Sequence, residues 1–156
     1  MSEMLNMANA RKPEQAEKMR AIAVAGICPF CPEHLADNHK EPIARENEHW
    51  FLTRNDWPYE GTKHHWLLIA KRHVRDVDEL TPAETDSLFE MVRWLKKEYD
   101  IAGGSFLMRT GDTRFTGATV THLHAHFISG SAWQSDKKPG KDDYVLTAVA
   151  INKDGS

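Results

Sequence analysis

Three histidines alternate with apolar residues in Thr121-His122-Leu123-His124-Ala125-His126-Phe127-Ile128. On a strand, residues two apart share a face, so the three rings would lie together while Leu123, Ala125 and Phe127 packed on the other side. On a helix the same spacing would turn His124 about 200° away from His122, and the alternation with apolar partners argues for the strand. Successive histidines then stand roughly 6 to 7 Å apart, close enough for one pocket and too far for one shared role. An imidazole is largely neutral near pH 7, which suits it to nucleophilic attack, proton transfer or metal binding. A chance cluster is disfavoured, because three imidazoles on one face repel whenever they protonate. A second reading makes all three the ligands of one ion in a metal-dependent hydrolase, although no Asp or Glu neighbours them to complete such a set.

The only two cysteines form the pair Cys28-Pro29-Phe30-Cys31. Such a pair is redox-active when it sits between a strand and a helix of a βαβ unit, and metal-binding in many other settings. This one follows a helical stretch and precedes a polar one, which points to a metal. A closed zinc site needs four N or S ligands, and His34 and His39 would make a compact local set with the cysteines. Phosphate chemistry needs donors aimed at negative charge; Arg109-Thr110-Gly111 and Gly117-Ala118-Thr119 could supply a guanidinium, hydroxyls and backbone N–H groups.

The elements that must position these residues read as α+β. Residues 12–26 form a first helix, with Pro13 in its first turn and Gly26 as its stop. Thr81-Pro82-Ala83-Glu84 is a capping box that opens a second helix, continued by Leu88, Met91, Leu95 and Tyr99 to a stop at Gly103-Gly104. Strands are expected at 49–54, 65–70, 105–110, 120–129 and 144–151, with a polar loop from 130 to 143. Few helical crossovers separate them, so the sheet should be antiparallel, of about five strands with two main helices. The 156 residues fit one domain, 1–156.

Composition narrows the function. A formal charge of -3 and a pI near 6.3 give no field for gripping polymeric nucleic acid. No apolar run is long enough to cross a bilayer, and the N-terminal residues lack the pattern of a signal or transit peptide, so a cytoplasmic location is expected.

The three motifs together resemble the histidine-triad (HIT) superfamily of nucleotide hydrolases and transferases, in its zinc-containing Cys-x-x-Cys form. The triad strand matches, and Asn55-Asp56-Trp57-Pro58 followed by His65-Trp-Leu-Leu-Ile-Ala-Lys-Arg-His73 is similar to the family's Asn/Asp-x-x-Pro and His-x-Leu-Val-Ile-Pro-Lys-x-His. The likeness covers residues 28–130. Ala70 replaces the usual proline, and the turn before His65 is about two residues longer than in the commonest members, which leaves His64 and His65 both eligible for the upstream role; counting back from His73 favours His65. The resemblance implies a HIT-like fold and assigns the nucleophile to His124, with His126 and His65 orienting the ring or managing phosphate charge. It places Asn55 at the ribose, Arg109, Gly117 and Thr119 at the phosphates, and a structural zinc on Cys28, Cys31, His73 and His122. The family's glutamine is replaced by Ala118. A small nucleotide substrate and a homodimer follow by the same likeness; a non-catalytic zinc-stabilised scaffold is the alternative.

Overall fold

A computed structural model describes residues 4–10 and 12–150. Five strands form one antiparallel sheet: β1 (Ile43–Glu46), β2 (Trp50–Arg54), β3 (His64–Ala70), β4 (Ser105–Met108) and β5 (His124–Ser129), in the order β1-β2-β3-β5-β4. The helices are α1 (Pro13–Ala25), α2 (Pro32–Asn38), α3 (Pro82–Glu98) and the single turn α4 (Thr113–Thr116). The α+β class, the antiparallel sheet and the two main helices agree with the sequence.

Three expectations need correction. The strand expected at 144–151 does not form in its described part, 144–150, which is irregular, and residue 151 lies outside the described residues. The fifth strand is instead β1, a short polar edge with burial too shallow to show alternation. Strand β5 begins at His124, so His122 sits in a bend before it. The second helix ends at Glu98, where Asp100 takes a positive φ of 48° and turns the chain. Gly104 answers a different need: a Cβ there would stand 2.8 Å from both the Ile128 carbonyl oxygen and the Phe127 ring.

Alternation gives the sheet two unlike faces. Trp50, Leu52, Trp66, Leu68, Ala125 and Phe127 point one way and join Leu88, Met91 and Leu95 of α3 in the main core. The other face carries His65, Leu67, Ile69, His124 and His126, with Leu67 and Ile69 covered by Leu35 of α2. One buried carboxylate locks the core side. Glu84 Oε2 accepts from the Thr81 backbone N–H at 2.8 Å, closing the capping box, while Arg72 donates to Glu84 Oε1 at 2.9 Å and Oε2 at 2.8 Å. The start of α3 is thereby tied to the segment leaving β3, next to His73.

The Arg72 hydrogen bond is the main influence that lowers the Glu84 pKa from 4.5 to about 2. A depressed carboxylate contributes stability that is present above its unfolded pKa and lost as pH falls through the folded one. Melting temperature should therefore decline between pH 4.5 and about 2. Glu84→Gln should be less stable at pH 7 and lose less over that window, as thermal unfolding by circular dichroism would read.

Candidate functional site

The strand pairing that aligns Ile69 with His124 and Leu67 with His126 sets their rings side by side, 5.1 Å between centroids. His65 lies two residues from Leu67, so alternation puts it on the same face. It is buried, its ring nitrogen Nε2 2.8 Å from Nδ1 of His126. His64 belongs to the opposite face, and His65 is therefore the histidine that the fold brings to the triad.

Hydrogen bonds fix the tautomers. The Tyr59 backbone N–H donates to His65 Nδ1 at 3.0 Å. A neutral His65 ring would then carry its proton on Nε2, facing His126 Nδ1. Asn55 Nδ2 stands 3.0 Å from the same His65 nitrogen. Two donors cannot bond each other, so this amide flanks the contact; its Oδ1 accepts from the Trp57 backbone N–H at 2.9 Å. His124 Nδ1 lies 2.8 Å from the His122 carbonyl oxygen and donates to it. Its Nε2 is thus left with a lone pair. Burial, with a smaller push from the charge of Arg109, lowers the His124 pKa to about 4, against the opposing His122 hydrogen bond. The ring is neutral across the ordinary pH range.

His122 turns away from these two. Its Nδ1 is 3.3 Å from Cys28 Sγ, 3.6 Å from Cys31 Sγ and 3.2 Å from His73 Nδ1, which is itself 3.2 Å from Cys31 Sγ. Ligands on a tetrahedral zinc, with bonds of about 2.0–2.3 Å, stand roughly 3.3–3.8 Å apart, so the four residues fit a metal ion. His122 Nε2 donates to the Ala70 carbonyl at 2.6 Å and so presents Nδ1 as the acceptor a metal requires. Burial, then the neighbouring Cys28, pushes the Cys31 thiol up to about 12; loading a metal must therefore displace thiol protons. Among the described residues this is the one group able to hold a metal. His39, the local alternative, is engaged elsewhere, with Thr53 Oγ1 at 2.8 Å and Asp56 at 3.2 Å. With His122 among the cysteines, the three alternating histidines do not form a ligand set of their own.

A cavity of about 340 Å³ opens over His124 and His126. Asn55, Arg109, Gly117 and Thr119 all line it. Arg109 reaches toward His126, Nη1 to Nε2 being 3.5 Å. Three donors of residues 117–119 are used within the protein: Gly117 N–H to Thr113 O, Ala118 N–H to Thr116 Oγ1, and the Thr119 hydroxyl to Asn9 O. Sequence reasoning missed Phe30 and Tyr59. Phe30, held between the two cysteines, stands edge-on to His124 at 5.0 Å and to His122 at 6.3 Å between centroids. Tyr59 stacks on His126 at 5.9 Å. The apolar residue inside the Cys-x-x-Cys pair was the available signal for the first; nothing local marked the second.

A HIT domain profile matches residues 38–132, and the chain belongs to the HIT family. It is 34% identical over 99 residues to galactose-1-phosphate uridylyltransferase of Rattus norvegicus, a match covering 56% of this chain and 25% of that protein. The chain thus spans about a quarter of that curated relative's length. Among solved structures, a HIT family hydrolase from Clostridium thermocellum is similar in fold, at 22% identity and TM-score 0.51, over 69% of this chain and 90% of that one. A HIT family protein from Bacillus anthracis is 25% identical with TM-score 0.51, over 73% and 85% of the respective chains. No helix among the described residues is long and apolar enough to cross a membrane.

Elemental analysis of protein purified without added metal should find one metal ion per chain. His73→Ala and Cys31→Ser should lose it and melt several degrees lower, whereas His34→Ala and His39→Ala should retain it. The opposite pattern would restore the local ligand set.

Proposed function

We propose that the chain is a hydrolase or nucleotidyltransferase acting at the α-phosphorus of a dinucleoside polyphosphate or nucleoside phosphoramidate through a nucleotidyl-histidine intermediate. The observation that carries this is the His124 ring: Nδ1 bonded to the His122 carbonyl, Nε2 unprotonated, and the side chain lining the cavity beside His126 and Arg109. In the first displacement the Nε2 lone pair forms a bond to phosphorus as the leaving group departs with the electron pair of its own bond. The His122 carbonyl stabilises the positive ring so formed through Nδ1–H. In the second, water or another hydroxyl attacks phosphorus and loses its proton, and His124 leaves with the N–P electron pair. The relative's name, a uridylyltransferase, is consistent with nucleotidyl transfer.

Within this reading His65 positions His126, which manages charge on the leaving group. Asn55 faces the ribose, and Gly117 and Thr119 shape the phosphate end. Zinc on Cys28, Cys31, His73 and His122 supplies a structural brace. We take residues 1–156 as one HIT-like domain working in the cytoplasm as a homodimer on a small nucleotide. The metal-dependent alternative loses support from the turning of His122 away from His124. A scaffold without turnover is separated by experiment.

Screening adenosine and guanosine phosphoramidates and dinucleoside polyphosphates, with and without inorganic phosphate, should reveal turnover. His124→Ala should reduce it by about a thousandfold or more while keeping metal, fold and nucleotide affinity. Near-wild-type turnover in that variant would eliminate the mechanism.

A further inference from the structure

Residues 4–10 lie outside the stretch that the HIT profile matches, 38–132, yet Asn9 and Ala10 line the cavity. The Asn6 backbone N–H donates to Thr119 O at 2.8 Å and the Thr121 N–H to Met4 O at 3.1 Å, so that Leu5 and Val120 pair antiparallel. Leu5 is buried with Met19 and Ile22 of α1 and with Val120. Asn6 Nδ2 donates to Thr113 Oγ1 at 3.2 Å, and the Thr119 hydroxyl to Asn9 O at 3.2 Å. These residues are thereby an arm laid along 113–121, the chain that leads into the triad.

The Asn9 carboxamide is held in one orientation. Its Nδ2 donates to Ala118 O at 2.8 Å and to Thr113 O at 3.4 Å. Reversed, the amide would set its oxygen against two carbonyl oxygens, which can only accept. Both hydrogens are thus used and Oδ1 is left as an acceptor; among the described residues no donor is bonded to it. The side chain is half-buried on the cavity wall. His126 shows which end of the cavity this is. Its Nδ1 edge lies 2.8 Å from His65 Nε2, which is itself 3.0 Å from Asn55. Its Nε2 edge lies 3.5 Å from Arg109, whose Nε donates to Thr116 O. Asn9 therefore stands with Arg109 and residues 113–119, across His126 from the residue assigned to the ribose.

We propose that Asn9 is a specificity-determining residue, its Oδ1 selecting substrates whose leaving group carries an O–H or N–H donor. The proposal rests on the nucleotidyl-histidine reading, which makes this the leaving-group end, and it narrows the substrate class. An ionised phosphate offers only acceptors and meets Oδ1 with no hydrogen to share, whereas an alcohol or an amine donates to it. A leaving group without a donor would strip water from Oδ1 and leave it unpaired, the kind of mismatch that discriminates between substrates most sharply. Of the two substrate kinds, the site favours phosphoramidates whose amine bears a further hydroxyl or amino group over polyphosphates.

The test uses adenosine 5′-phosphoramidates of straight-chain amines, two to five carbons long, that end in a hydroxyl, an ammonium or a methyl ether. With the full chain, kcat/KM should be about tenfold higher for a hydroxyl or an ammonium than for the ether of the same length, at one length or more. Asn9→Ala should level the three. Asn6→Ala, which loosens the arm and keeps the Asn9 acceptor, should retain the preference. An ether that matches both donors at every length, a preference that survives Asn9→Ala, or one lost as fully in Asn6→Ala would each overturn the proposal. Calorimetric titration of the same compounds into His124→Ala reads the contact without turnover. The preference should appear there in Kd and vanish when Asn9→Ala is added. Its presence there, beside a wild type that turns over none of the compounds, would keep the Asn9 contact and reject the catalytic reading. Its absence there, beside wild-type turnover, would keep the catalytic reading and overturn the contact.

Discussion

Everything at the site depends on the antiparallel register between β3 and β5. Pairing Leu67 with His126 and Ile69 with His124 does two things at once. It sends Trp66, Leu68, Ala125 and Phe127 into the core against α3 and leaves His65, His124 and His126 together on the opposite face. A slip by one residue would reverse every side chain on the strand, burying hydrogen-bonding rings among apolar groups. The hydrophobic core therefore enforces the alignment that the chemistry uses. It also puts His65, the residue that counting back from His73 favours, and not His64, on the triad face.

A neutral, directed imidazole needs its neighbours to settle where the proton goes. The His122 carbonyl settles it for His124, and the Tyr59 N–H leaves Nδ1 of His65 as an acceptor. These are backbone groups, so the tautomers are properties of the fold more than of any one side chain. His122 takes part twice, lending its carbonyl to the His124 ring and its own ring to the Cys28, Cys31 and His73 group.

Much of this was legible in the sequence, because strong local periodicity survives folding. The alternating triad, the capping box at Thr81 and the apolar run 65–70 each specify an element without help from distant residues. The misreadings occur where tertiary contacts prevail. Residues 144–150 have the apolar content of a strand, yet they stay irregular, with Ala148 accepting a hydrogen bond from Arg109 beside the site. Polar residues 43–46 form an edge strand that pairs with β2 and buries little, so they left no pattern to read. The candidate ligand set is non-local as well: local spacing alone offers His34 and His39, whereas the family resemblance pointed to His73 and His122, and the fold gathers those two with the cysteines.

Phe30 gives the cluster a reach beyond bracing. Phe30 lies between the two cysteines of the group that could hold a metal ion, and its ring leans edge-on against His124. If an ion is held there, a chelator that strips it, or an oxidant that converts the two thiols, would alter what the His124 ring rests upon without ever entering the cavity. Such agents would act as inhibitors that substrate cannot outcompete, since they and the nucleotide never contend for the same space.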